Sequence, residues 1–143
     1  MSNKIAIASD HAGFELKQDV ISYLNKKNID VIDLGTDSKK SVDYPDFANK
    51  LADEIKKDSS MTGILICGSG IGISIAANRH RHIRCALVTS EDEASLSRQH
   101  NNANVIALGA RIISKEKALS CIEVFLSTDF EGDRHQKRID IMS

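Results

Sequence analysis

Cys67 stands at the mouth of a glycine-led turn, Gly68, Ser69, Gly70, Ile71 and Gly72, within ICGSGIGISIAANR (66–79). Glycines let backbone approach a ligand closely, and the start of a helix offers unpaired N–H groups with partial positive charge. A negative oxygen, from a phosphate or a developing enolate, is stabilised by such amides, and Ser69 adds a hydroxyl. The same field favours a thiolate, which can act as base or nucleophile. A free cysteine is also a small hydrophobe, and a glycine turn can join strand to helix with no ligand. Residue types alone leave both readings of Cys67 open. Cys85, inside IRCALV, and Cys121, inside an amphipathic stretch, read as buried hydrophobes.

The spacing argues against two nucleotide cradles. A dinucleotide fingerprint needs a glycine where Ile73 stands, and no Gly-Lys-Ser/Thr follows. Asp10 and His11 come directly after the first apolar run, where Asp10 serves equally as a helix cap. His100, in RQHNNAN, falls at a helix end, where a cation suits the dipole. His80 and His82 flank Arg81 in a polar connection; with no Cys or carboxylate to complete a ligand set, a solvated loop is expected rather than a metal site. Arg134 and Arg138 are spaced i, i+4. Two guanidinium forks on one face match a phosphate dianion, or else pair with surface carboxylates.

The elements that must position these groups alternate. Strands are expected over 4–9, 30–35, 63–67, 83–88 and 104–109. Helices are expected over 13–27, from Pro45 to Lys57, after the glycine turn, from a Ser90/Glu93 capping box to His100, over 115–127, and in the last ten residues. Such alternation predicts an α/β fold: a three-layer α/β/α sandwich on a five-stranded parallel sheet, flavodoxin-like or Rossmann-like in order. Ligands of such sheets bind beyond the carboxyl ends of the strands. Asp10-His11, the Cys67 turn and Gly109-Ala110-Arg111 all fall there. A helix of about 10 residues is roughly 15 Å long, so His100 should lie near the opposite edge of its own subunit. If Cys67 and His100 share a site, two chains build it.

Bulk properties narrow the classes. The 143 residues suit a single domain over 1–143, including the C-terminal helical segment. Lys and Arg number 19 against 20 Asp and Glu, which points to neither a nucleic-acid nor a membrane surface. MSNKIAIASD is too short an apolar run for a signal peptide, and no stretch reaches membrane length. Three irregularly spaced cysteines suggest free thiols in a reducing compartment, by default the cytoplasm.

Taken together, the chain resembles the type B ribose-5-phosphate isomerase family, which includes the galactose-6-phosphate isomerase subunits. The matching stretches are SDHAGFELK (9–17), VDYPDFA (42–48), ICGSGIGISIAANR (66–79), IRCAL (83–87), LSRQHNNANVIALGAR (96–111) and FEGDRHQKRI (130–139). The resemblance implies interconversion of D-ribose 5-phosphate and D-ribulose 5-phosphate through an enediolate, in the pentose phosphate pathway of carbohydrate metabolism. No metal or organic cofactor is implied, and at least a homodimer, or a dimer of dimers, with active sites shared between subunits. Cys67 would be the base moving a proton between C1 and C2, His100 would assist ring opening, and Asp10 would help protons move at the sugar oxygens. The amides of Gly68, Ser69, Gly70, Ile71 and Gly72, with the Ser69 hydroxyl, would hold the enediolate. His11, Arg111, Arg134 and Arg138 match phosphate-binding positions; Tyr44 and Asn101 match sugar contacts. One branch of the family replaces the cysteine by a glutamate at the place of Ile73, so the thiol branch is implied. The cysteine also favours pentose over hexose phosphates. Asp133 stands where many relatives have a second glycine.

Overall fold

A computed structural model describes residues 4–143. Residues 1–3 lie outside it, and with them part of the stretch read as lacking a signal peptide and the start of the expected 1–143 domain. Five parallel strands, β1 (Lys4–Ser9), β2 (Asp30–Asp33), β3 (Thr62–Cys67), β4 (Cys85–Leu87) and β5 (Val105–Gly109), form one sheet in the order β2-β1-β3-β5-β4. The α/β expectation is borne out. The order is flavodoxin-like over β2-β1-β3, but its last two strands are exchanged. Burial explains why: every residue of β5 is buried, whereas β4 is three partly exposed residues suited to an edge. Both edge strands are shorter than the expected 30–35 and 83–88, because their ends lose the partner on one side.

Side-chain alternation divides the core. Ile5, Ile7, Ile64, Ile66, Ile106 and Leu108 point to one face, covered by α1 (Phe14–Lys26), α4 (Glu91–Gln99) and α5 (Lys115–Ser127). Ala6, Ala8, Leu65, Cys67, Val105 and Ala107 point to the other, covered by α2 (Tyr44–Lys57) and α3 (Ile71–Ala77). The final helix, α6 (Arg134–Met142), buries His135 and Ile139. Its approach is tied to the end of α4, where the Glu131 N–H donates to the Gln99 carbonyl at 3.1 Å.

Local chemistry fixes the helix starts. Pro45 sits in the first turn of α2, which begins one residue earlier, at Tyr44. Ser90 Oγ accepts from the Glu93 N–H at 3.2 Å, as the capping box predicts. The Glu93 carboxylate reaches one residue further back than that motif requires, to the Thr89 N–H and hydroxyl. Among the described residues no helix is long and apolar enough to cross a membrane.

Candidate active site

Three loops beyond the carboxyl ends of β1, β3 and β5 gather the first group of expected residues. Asp10 Oδ1 accepts from the Ala12 and Gly13 N–H groups at 3.0 and 3.1 Å, so its capping role is realised and one carboxylate oxygen is engaged. His11 Nδ1 accepts the Val42 N–H at 3.1 Å. The proton of a neutral ring then sits on Nε2, which is left to donate to an anion. From the β5 loop, Arg111 Nη1 lies 3.2 Å from the place a Cβ on Gly68 would occupy. His11, Ala12, Glu15, Lys39 and Arg111 line a cavity of about 280 Å³, in which Lys39 pairs with Glu15. Lys39 has no motif around it, and Glu15, though inside SDHAGFELK (9–17), was not singled out; the sequence reading missed both.

Cys67 ends β3 and is only 4% exposed, yet its Sγ faces polar backbone: the Gly70 N–H donates to it at 3.2 Å. Gly70 adopts φ +77, the left-handed region that favours glycine, and this bends the loop back over the sulfur. The Ile71 N–H donates to Ser69 Oγ at 3.1 Å. Two of the amides expected to face a ligand, those of Gly70 and Ile71, are therefore engaged within the loop. Tyr44 closes the site from α2. A Cβ on Gly72 would lie 2.6 Å from its ring, so that glycine is what admits the aromatic.

The second group lies elsewhere. His100 follows α4 as its C-cap, beside the amino edge of the sheet, with Asn101 next to it. Gly109, paired with Cys67, and Val105 mark opposite ends of β5; its five residues span roughly 16 Å. His100 stacks on His135, with ring centroids 4.3 Å apart and planes 16° from parallel. Glu131 Oε1 lies 3.6 Å from His135 Nε2. Burial first, then the Arg134 guanidinium and His100, hold the His135 imidazole below its ordinary range. Arg134 and Arg138 are exposed on α6, and neither has a carboxylate ion pair among the described residues. Asn101 lines a cavity of about 500 Å³ together with Arg79, Arg81 and Arg84. One chain thus places Cys67 and His100 at opposite edges of the sheet, as the helix-length estimate predicts.

Two expectations change in detail. His80 and His82 are not merely solvated: His82 Nε2 donates to the Ala52 carbonyl at 2.7 Å and His80 Nε2 lies 2.8 Å from Asn49 Oδ1, pinning their connection to α2. Cys85 is partly exposed in sheet terms, yet burial of its thiol pushes it up to about 12, which leaves it inert. Sequence reading also passed over Lys17, which is 1% exposed and holds Asp33 with both oxygens at 2.7 and 2.8 Å. The signal was present, for Lys17 shares the stripe of Val20 and Leu24, and a cation on an apolar face needs a partner.

Known proteins share this fold and much of this sequence. The family described as Ribose/Galactose Isomerase matches residues 5–142. The ribose-5-phosphate isomerase B of Escherichia coli strain K12 is 41% identical over 140 residues, covering 98% of this chain and 94% of its own. A crystal structure of a ribose 5-phosphate isomerase from Thermotoga maritima superposes with a TM-score of 0.95 at 53% identity, covering 97% of this chain and 96% of that one. The Mycoplasma genitalium ribose-5-phosphate isomerase B, solved with bound ribulose-5-phosphate, gives 0.94 at 45% identity, covering 97% and 93%.

Proposed function

The chain belongs to the ribose/galactose isomerase family, and from that we infer that it is a ribose-5-phosphate isomerase, interconverting D-ribose 5-phosphate and D-ribulose 5-phosphate. One observation carries the chemical assignment: the Cys67 sulfur accepts a loop N–H instead of being sealed in hydrocarbon. In the aldose-to-ketose direction the Cys67 thiolate takes the proton from C2, the C2–H pair becomes the enediolate double bond, and the C1 carbonyl oxygen takes the charge. The same proton returns to C1 while the O2 proton moves to O1, leaving the carbonyl at C2. Free amides between Gly68 and Gly72 meet the developing charge, where preorganised donors act most strongly. The substrate's own carbonyl is the electron sink, so the proton transfer calls on no cofactor.

Asp10 moves protons at the sugar oxygens with the carboxylate oxygen not used in capping. His11 and Arg111 bind the sugar phosphate on the sulfur's side, with Tyr44 against the sugar. His100, Asn101, Arg134 and Arg138 complete the site from a second copy, with His100 opening the furanose. In support of a second copy, Tyr44, Ile71, Leu87 and Ile112 are exposed apolar residues beside the sulfur-bearing loop, and Ile75 extends that surface along α3. The functional unit in this proposal is a homodimer or a dimer of dimers of one-domain chains, working in the pentose phosphate pathway in the cytoplasm. The chain's formal net charge of −1 supports a partner list without nucleic acid or membrane.

The test is conversion of ribose 5-phosphate to ribulose 5-phosphate by wild type and Cys67→Ala. Loss of the base should lower turnover by about 10²–10⁴-fold while sugar-phosphate binding persists. Unchanged turnover removes the sulfur from its role. A wild-type chain that binds ribose 5-phosphate yet makes no ketose is a sensor rather than an enzyme. A larger kcat/KM on a six-carbon aldose phosphate moves the substrate from pentose to hexose.

A further inference from the structure

Among the described residues, His135 Nε2 is a buried nitrogen with no hydrogen-bond partner, on a side chain 6% exposed. A buried polar atom left unpaired is costly, and native structures rarely keep one without a use. Its surroundings are a ligand set. One ligating atom each from His100, Glu131 and His135 lie within 4.8 Å of one another. Among the described residues no other element contributes a competing hydrogen bond to that nitrogen.

We propose that His100, Glu131 and His135 form an inhibitory site for a divalent cation of the zinc class. Two imidazoles and one carboxylate suit zinc and its borderline neighbours, whereas calcium and magnesium prefer sets made of oxygen. Bonds of 2.0–2.2 Å in tetrahedral array put neighbouring ligand atoms roughly 3.4 Å apart. The His135–Glu131 pair, at 3.6 Å, already has nearly that spacing. The stacked rings hold their nitrogens almost parallel, so a turn of the half-buried His100 ring brings the third ligand round.

The backbone beneath is fixed. Gly132 and Asp133, at φ +75 and +51, turn the chain between Glu131 and α6, and the Glu131 N–H is tied to Gln99. Asp133, which stands where many relatives have a second glycine, thus makes this turn at positive φ. Arg134 and Arg138 flank the set and oppose a dication, while the Glu131 charge offsets one of them. Binding is accordingly weaker than at a structural zinc site.

A bound ion takes His100 away from the sugar ring. That consequence rests on the catalytic role given to His100 above; the ligand set itself does not. Zinc chloride is titrated calorimetrically into Cys67→Ala protein, which excludes capture by that thiol. One ion per chain is expected, with affinity at least tenfold lower after adding Glu131→Gln or His135→Asn. Equal affinity in the Glu131→Gln protein, whose altered side chain is exposed and tolerates the change, overturns the site. In parallel, zinc should inhibit wild-type isomerisation reversibly with EDTA, while Glu131→Gln keeps its basal rate and resists. Zinc that binds at this set without slowing turnover overturns the inhibitory claim and counts against His100 as the ring opener.

Discussion

Gly72 is small because Tyr44 needs its space. A methyl there would meet the phenol ring at 2.6 Å, and the ring, at the start of α2, is freer to move than the backbone of α3. Gly72→Ala is therefore expected to push the exposed Tyr44 ring off the site at little cost in stability, because the ring can swing into solvent and alanine favours the helix. Melting temperature should stay close to wild type, while kcat/KM for ribose 5-phosphate should fall. A variant with wild-type kinetics would remove Tyr44 from the sugar site. At this scale much was legible: the sulfur, the glycines and the Asp10 cap followed from residue type and order. What escaped were partners distant in sequence, such as Asp33 for Lys17 and His100 for His135, which no local pattern pairs.

Helix α4 shows how a short element is held at one end to place a side chain at the other. Ser90 and Glu93 secure its first turn, and His100 sits just beyond its last. Hydrogen bonds from the Thr89 N–H and then the Thr89 hydroxyl hold the Glu93 carboxyl below the usual carboxylate range. A folded pKa depressed in this way adds stability that is full above the unfolded value and lost as pH falls through the folded one. Wild type should therefore exceed Glu93→Gln in stability at pH 7, with the gap closing on acidification below that range. Because Glu93 is exposed, solvent screening keeps the gap small. Denaturant unfolding across pH measures it, and a gap that widens in acid refutes the cap. Element types and most boundaries were readable from periodicity, as α5 over 115–127 illustrates. The lengths of β2 and β4 were not, since an apolar run does not reveal which strand will lack a neighbour.

For the whole molecule, the decisive fact is that Cys67 and His100 stand at opposite edges of the sheet. Helix length alone foretold it, whereas the exchange of β4 and β5 depends on burial that sequence order does not encode. Cys67→Ala and His100→Ala chains, each inactive alone, should recover activity when mixed, because one composite site in the hybrid keeps both groups. With two sites per pair and one rebuilt, verified hybrids should approach half the wild-type rate. Inactive hybrids would place Cys67 and His100 in separate roles.

That division also sets how throughput answers to abundance. Sulfur and imidazole held apart by the length of a buried strand cannot be reunited by any loop movement within a lone polypeptide. With both groups in one site as proposed, rate per molecule should climb with expression level until association saturates, and scarcity alone should keep newly made copies idle.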